Sequence, residues 1–309
     1  RAGRLSRMLA EYSASTSLPG RIAEDLERGR IVKFAPSPVP LPEATDNAFL
    51  LHELPQRLKL KNISYHPETD TVRGFEGTPE ERARITAILK RHSAAVEGFL
   101  KRAIPELTPG WVVATCSIRP LEEQGRNLGA HASNELVHFD AGAYGATHGD
   151  RILRFFVNLN PTKPRVWVSK GDFATVFARW GGAAGVTHAG LAPTPFNRLR
   201  SGVTRMVGRF LPAARLLDGS PYDRTMRRFH NFLKDTPAFQ ETTEGHEQFE
   251  FEPASAWMVF TDSVSHACIS GQFAFVNTFI IPLANCRLQE LSPYHILERG
   301  VPAGRAAAG

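Results

Sequence analysis

The stretch Leu136-Val137-His138-Phe139-Asp140-Ala141-Gly142-Ala143 decides how the chain is to be read. Leu136 and Val137 read as the end of an apolar strand. The two-residue alternation of a strand then turns the side chains of His138 and Asp140 to the same side. The small residues 141–143 behind them leave room for a ligand. Two histidines and a carboxylate on one face of a metal, with the remaining positions open, are the donor set of non-haem Fe(II) oxygenases. His-x-Asp is the first part of it.

That spacing is common. With 11 histidines and about a tenth of residues acidic, chance supplies about one His-x-acid match. The chain has three: His66-x-Glu68, His138-x-Asp140 and His148-x-Asp150. His66 lies in a polar, Pro-containing loop and reads as a surface histidine. His148-Gly149-Asp150 sits in a Gly-rich turn ahead of a strand. Only His138 and Asp140 combine a strand end with a cavity behind it. The third donor should open a late strand, and His266, after Trp257–Phe260 and before Gln272–Ile281, meets that requirement.

Outward from these donors the texture is β-rich. From Trp111 on, short apolar runs alternate with Gly, Pro and Asn: 111–118, 136–139, 152–159, 166–168, 249–251, 257–260 and 272–281. The pattern predicts an antiparallel sandwich or barrel with helical additions. Thr78-Pro79-Glu80-Glu81 opens the clearest helix, running to about Ala103, with Thr78 as cap and Pro79 in the first turn. Asp172–Trp180 reads as a shorter one. Residues 1–45 read as an N-terminal arm with a Pro-rich connector (Pro36, Pro38, Pro40, Pro42), 46–110 as a mixed helical support region, 111–290 as the catalytic domain, and 291–309 as a C-terminal tail, Ala/Gly-rich and expected to be disordered after Pro302.

The chain has 309 residues, a net charge of +6 and a pI near 9.4. The excess sits in one place. Between Phe196 and Thr236, nine basic residues meet three acids, so this predicted helical insertion, 196–236, carries the whole imbalance. Leu199, Val203, Met206, Val207, Phe210 and Leu211 recur at helical spacing, while Arg198, Arg205 and Arg209 take other positions. This mixture predicts a cationic helix lying on an anionic membrane surface. The other reading is an ordinary amphipathic helix whose apolar stripe is core and whose arginines face water.

Several classes are excluded. The longest apolar runs fall far short of the roughly 20 residues a spanning helix needs. Three cysteines, Cys116, Cys268 and Cys286, have no CxxC spacing, which argues against a disulfide framework and for a reducing compartment. The first residues hold no apolar signal core, so a secretory leader is expected to be absent or already removed. Neither a Gly-x-Ser-x-Gly elbow nor a Walker loop occurs.

The two ends of the donor motif and the β-rich segment joining them resemble the 2-oxoglutarate/Fe(II)-dependent dioxygenases, a double-stranded β-helix (jelly-roll, cupin-like) superfamily, over residues 111–285. More narrowly, Lys61-Asn62-Ile63-Ser64-Tyr65, Val72-Arg73-Gly74-Phe75, His138-Phe139-Asp140, Arg154-Phe155-Phe156-Val157-Asn158-Leu159-Asn160-Pro161 and Ser270-Gly271-Gln272-Phe273-Ala274 are similar to the 3-deoxy-D-manno-oct-2-ulosonic acid (Kdo) hydroxylases. The resemblance implies Fe(II), 2-oxoglutarate and O2 as cofactors, with His138, Asp140 and His266 as metal ligands. It further implies hydroxylation at C3 of Kdo in a lipid-linked lipopolysaccharide precursor, with release of succinate and CO2. The enzyme would lie at the cytoplasmic side of a Gram-negative inner membrane, with no nucleic-acid partner and no obligate protein partner. Two alternatives stay open: a 2-oxoglutarate-dependent hydroxylase of protein or nucleic acid, and a non-catalytic jelly-roll module that grips an anionic polymer or membrane.

One departure from the superfamily concerns the cosubstrate. The arginine many members carry on the strand after the third ligand is missing from Gln272–Phe279. Other branches place it on the strand after His-x-Asp, where this chain has Arg154. A planar guanidinium binds a carboxylate through two parallel hydrogen bonds, which a lysine does not reproduce. Arg119, at the end of 111–118, is the runner-up. Arg151 reads as an exposed strand end. Asn158 shares a face with Arg154, and Gln272 and Asn277 alternate with Phe273, Phe275 and Val276, so all three are expected to line the pocket. Trp111 is a candidate for its edge, and Trp167 and Trp257 read as core. His131, His188, His230, His246 and His295 read as structural or exposed.

Overall fold

Runs dense in β-branched and aromatic residues become the strands of two sheets, and the helices they recruit cover what the sheets leave bare. The computed structural model describes residues 8–13, 19–60, 62–142, 145–186 and 220–300. In chain order the regular elements are β1 (Leu9–Tyr12), α1 (Pro19–Glu27), β2 (Ile31–Phe34), α2 (Ala44–Ala48), β3 (Ile63–His66), β4 (Thr71–Arg73), α3 (Pro79–Ala103), β5 (Val112–Arg119), β6 (Arg151–Asn158), β7 (Arg165–Ser169), α4 (Phe173–Trp180), α5 (Pro221–Asp235), α6 (Pro237–Glu241), β8 (Glu247–Phe251), β9 (Ala256–Phe260), β10 (Ala267–Ser270), β11 (Ala274–Ile281) and α7 (Pro293–Arg299). An eight-stranded sheet in the order β1-β2-β9-β6-β11-β5-β3-β4 faces a three-stranded sheet in the order β10-β7-β8. All neighbours are antiparallel except β1 and β2. This is the predicted jelly roll.

The period of two along β6 separates two cores. Phe155 and Val157 point outward with Phe275 and Phe279 of β11, where α1 and α3 cover them through Ile22, Leu26, Ile85, Leu89, Val96 and Leu100. Phe156 points between the sheets, among Trp167, Trp257, Val259, Val276, Phe249 and Phe251. There the rings form a ladder: Phe156 stacks on Trp257 at 4.9 Å, Trp257 on Phe251 at 3.9 Å, and Trp167 meets Phe156 edge-on at 4.8 Å. Each such buried side chain contributes about 1.5–3 kcal/mol by removal from water. The long helix α3 starts as expected: Thr78 accepts from the Glu81 amide at 3.2 Å and Glu81 accepts from the Thr78 amide at 2.8 Å, a complete capping box.

Four expectations change. Residues 1–45 are not merely an arm, because β2 pairs with β9 and so carries β1 onto the edge of the large sheet. The support region likewise adds β3 and β4 to the opposite edge. The tail contributes α7, whose Ile296 and Leu297 are buried, whereas the residues after Pro302 lie outside the described ones. The segment 136–139 is no strand; it makes one isolated bridge, between His138 and His266.

The expected membrane-facing stripe from Leu199 to Leu211 also lies outside the described residues. The part of the basic block that is described, α5, turns its own apolar stripe inward: Tyr222, Met226, Phe229 and Leu233 join Val137, Phe139, Phe173 and Phe177 in a third core. Arg224, Arg227 and Arg228 are exposed. The three cysteines are free and buried. No helix among the described residues is long and apolar enough to cross a membrane.

Candidate active site

His138 and His266 exchange both backbone hydrogen bonds, at 3.1 and 2.8 Å, and the Asp140 amide donates to the Thr261 carbonyl at 2.8 Å. The segment carrying the first two donors thus runs beside the one carrying the third. One nitrogen from each histidine and one carboxylate oxygen of Asp140 lie within 4.8 Å of one another, all on buried residues. Among the described residues this is the one cluster of three or more His, Cys, Asp or Glu able to hold a metal.

The orientation of the donors is set from behind. His138 Nδ1 lies 2.7 Å from the Leu136 carbonyl and His266 Nδ1 lies 3.0 Å from the Val264 carbonyl. A carbonyl only accepts, so both Nδ1 atoms carry the proton and both Nε2 atoms present a lone pair, the tautomer a metal needs. Trp167 stacks on His266 at 5.1 Å and holds its ring plane. Burial pushes the His138 pKa down to about 3 and that of His266 to about 4, so both rings are neutral at ordinary pH. Burial pushes the Asp140 carboxyl up, yet Arg154 and then His138 and His266 outweigh it and hold the group well below the usual carboxylate range. Two neutral imidazoles and an ionised carboxylate fit a divalent ion. Asp140 Oδ1, 3.7 Å from His138 Nε2, is the carboxylate oxygen on the histidine side and agrees with that fit.

The triad opens on a cavity of about 310 Å³, lined also by Arg119, Arg154, Asn62, Asn134 and Cys268. Arg154 Nε lies 2.9 Å from Asp140 Oδ2. Arg119 faces the cavity from the end of β5, its Nη1 3.7 Å from Glu123. Glu123 is shared with Arg165 at 3.1 Å and Arg126 at 3.7 Å. Burial lowers the Arg119 pKa, with Glu123 acting against it and the like charges of Arg154 and Arg165 adding to it. One carboxylate thus serves three guanidiniums, leaving the wall with unbalanced positive charge that a bound anion would neutralise. Thr278, the partner of Arg154 on β11, and Thr115, the next residue across on β5, have buried hydroxyls with no hydrogen bond.

Three expected pocket residues are elsewhere. Asn158 does share the inner face of β6, but its amide is consumed by the carbonyls of Lys163 and Phe251 and by the Asn160 amide. Gln272 precedes β11 and donates to the Pro120 carbonyl. Asn277 points to the outer core, opposite Cys116 on β5 and near His92. Trp111 is not at the pocket edge; it stacks on Phe279 in the outer core at 4.7 Å. Arg151 is not an exposed strand end but is fully buried, paired with Asp262 at 2.7 Å. The competing pair His148 and Asp150 holds turns together, the His148 amide donating to Asp223 and Asp150 accepting from the Leu283 amide. In the other direction, His230 is not isolated. Its ring lies 4.9 Å from that of His138. A helix-borne histidine inside an amphipathic, basic stretch carries no signal of this, because the contact is made across 92 residues of chain.

A family model described as 3-deoxy-D-manno-oct-2-ulosonic acid (Kdo) hydroxylase matches residues 10–303. The chain belongs to the Kdo hydroxylase family. Solved structures agree with it. Those of the Kdo hydroxylase KdoO, a non-haem Fe(II), α-ketoglutarate-dependent dioxygenase, in its apo form and in complex with α-ketoglutarate and Fe(III), are 28% identical, match with a TM-score of 0.78 and cover 95% of both chains. A KdoO structure with succinate and Fe(III) is 26% identical at a TM-score of 0.76, covering 97% of this chain and all of that one. No curated protein sequence matches. Fold, donor set and family agree, and the site is that of an Fe(II)/2-oxoglutarate-dependent dioxygenase.

Proposed function

We propose that this protein hydroxylates the Kdo sugar of a lipid-linked lipopolysaccharide precursor, at C3, using Fe(II), 2-oxoglutarate and O2 and releasing succinate and CO2. The observation that carries the proposal is the His138–Asp140–His266 triad at a cavity whose walls are Arg119 and Arg154. A divalent ion there supplies oxygen activation for insertion into an unactivated C–H bond.

The chain's own residues do the rest. His138 and His266 would donate through Nε2 and Asp140 through its carboxylate, three protein ligands that leave other coordination positions open. Arg154 and Arg119 would take the carboxylates of the cosubstrate, both cations being already desolvated and held in place. Asp140 keeps its charge because Arg154 sits against it, so the ligand does not need to lose a proton when metal arrives. Trp167 and Phe156 close the floor of the cavity, with Trp257 stacked behind Phe156, and exclude water. Asn62 and Asn134 offer amide groups to a polyhydroxylated substrate at the same wall.

Kdo is itself a carboxylate, so the positive cavity suits substrate as well as cosubstrate. The basic block 196–236, with Arg224, Arg227 and Arg228 exposed on its described part, supports a site of action at the cytoplasmic surface of an anionic inner membrane, where lipid-linked Kdo is presented.

The test is chemical. Purified protein with Fe(II) and 2-oxoglutarate should form succinate in proportion to a Kdo-containing glycolipid, the product gaining one oxygen by mass spectrometry and a hydroxyl at C3 by NMR. Succinate formation that is indifferent to Kdo glycolipid, but stimulated by a protein or nucleic acid, would overturn the substrate assignment.

A further inference from the structure

The helix α5 faces the metal-binding segment with a stripe of polar residues at positions 223, 227, 230 and 234, the spacing of a single helix face. Three of the four hydrogen-bond different parts of that segment, and Arg227 lies beside it. Asp223 accepts from the Thr147 amide at 2.7 Å and the Thr147 hydroxyl at 3.1 Å. Arg227 lies over Gly142, close enough that a Cβ there would come within 3.4 Å of its guanidinium. His230 Nδ1 lies 2.6 Å from the Phe139 carbonyl. Lys234 donates to the Ser133 carbonyl at 2.8 Å and the His131 carbonyl at 3.2 Å.

His230 is the centre of this stripe. The Phe139 carbonyl belongs to the residue between two metal ligands, and its direction fixes the Phe139–Asp140 peptide plane from which the Asp140 side chain leaves. The His230 ring also meets the His138 ring at 74°, edge to face, against the rotation left free by the Leu136 contact. On its far side the segment is tied to 261–268 by backbone; on its near side the ties are side chains of α5, together with Gln240 on the Val137 peptide.

We infer that His230 is a positioning residue for the metal centre: it holds the His138–Asp140 segment in ligating geometry, so that α5 and the metal site act as one unit. The inference rests on the metal reading above. It predicts that the Nδ1 donor matters for metal affinity and not only the bulk of the ring, because outer partners that orient ligands typically change metal affinity by roughly 10–100-fold.

The probe is Co(II), titrated into metal-free protein and followed by its absorption, alongside thermal melting of the metal-free form. His230→Phe keeps a ring and loses the donor; His230→Asn places an amide N–H close to where Nδ1 stands. The expected result is Co(II) affinity reduced about tenfold or more in His230→Phe and largely restored in His230→Asn, with metal-free melting temperatures close to that of the unmodified protein. Should His230→Phe melt below the assay temperature, His230→Asn against His230→Ala carries the same comparison. Wild-type affinity in the donor-less variant overturns the inference, and so does equal weakening in the Asn variant. A wild-type protein that binds no Co(II), or binds it equally with His138→Ala, overturns the metal reading itself, which these outcomes keep separate.

Discussion

Arg154 and Asp140 form an ion pair, Nε to Oδ2 at 2.9 Å, in which the anion is a metal ligand and the cation lines the cosubstrate cavity. One contact therefore links the two halves of the chemistry, holding the carboxylate charged before metal binds and fixing the guanidinium before a diacid enters.

The pair makes the three ligands unequal in the metal-free protein. Asp140→Asn leaves a buried guanidinium without its counter-charge, at a cost of about 3–5 kcal/mol when such a pair loses one partner. His138→Ala and His266→Ala remove neutral rings and should lower metal-free stability less. All three should abolish Co(II) binding and succinate formation. Urea unfolding of the metal-free variants checks the ranking, and an Asp140→Asn protein as stable as the wild type would contradict it.

Replacing Arg154 by lysine keeps the charge and removes the fork. Hydrogen bonds to charged groups contribute about 1.5–3 kcal/mol, so 2-oxoglutarate affinity should fall by about 10-fold or more, with Fe(II) affinity changed much less. The same assay on Arg119→Lys divides the work between the two cations. Unchanged cosubstrate affinity in Arg154→Lys would transfer the role to Arg119.

Acid should destabilise the metal-free protein through its buried imidazoles. Burial lowers the His92 pKa to about 3, and the rings of His138 and His266 behave alike, against an ordinary value of 6.5. Between these limits the unfolded chain binds more protons than the folded one, so stability is full above about pH 6.5 and is lost as pH falls toward 3. His92 stacks on Phe275 at 4.2 Å, outside the metal site. His92→Phe should therefore flatten the slope of stability against pH by about one proton's worth without altering Co(II) affinity, a result read from melts at several pH values.

The membrane expectation is tested with Arg205, Arg209 and Arg215 together changed to glutamine. At about 1 kcal/mol for each basic residue near an anionic surface, binding to vesicles containing anionic lipid should weaken by about 100-fold, while turnover of a small soluble Kdo glycoside is retained. Binding that does not change would leave these arginines as a solvated face.

The sequence made the donors legible because their chemistry is local. His138 and Asp140 need only the two-residue alternation of an extended segment, which holds although 136–139 joins neither sheet, and the Thr78 capping box is complete within four residues. What it hid depends on partners distant in the chain. Asn277 was misplaced by parity: Gln272 and Asn277 stand five positions apart, so alternation cannot put them on one face; it places Asn277 with Phe275 and Phe279 on the outer side of β11. Arg151 looked like a strand end facing water because nothing local announces Asp262, 111 residues away. The N-terminal strands were missed for the same reason: β1 and β2 are four residues each and take their place from β9.

The two reciprocal hydrogen bonds between His138 and His266 join the ligands through their main chain, not through the ion. Such a mutually bonded pair keeps its two α-carbons at the spacing of an antiparallel bridge. Loss of iron then leaves a template in place of a loosened loop. The amide protons of these two residues should stay slow to exchange with deuterium when the metal is stripped, and reloading should proceed at the speed of ion entry rather than of chain rearrangement. A centre of this kind can be emptied by a chelator and refilled many times without the chain having to find its fold again.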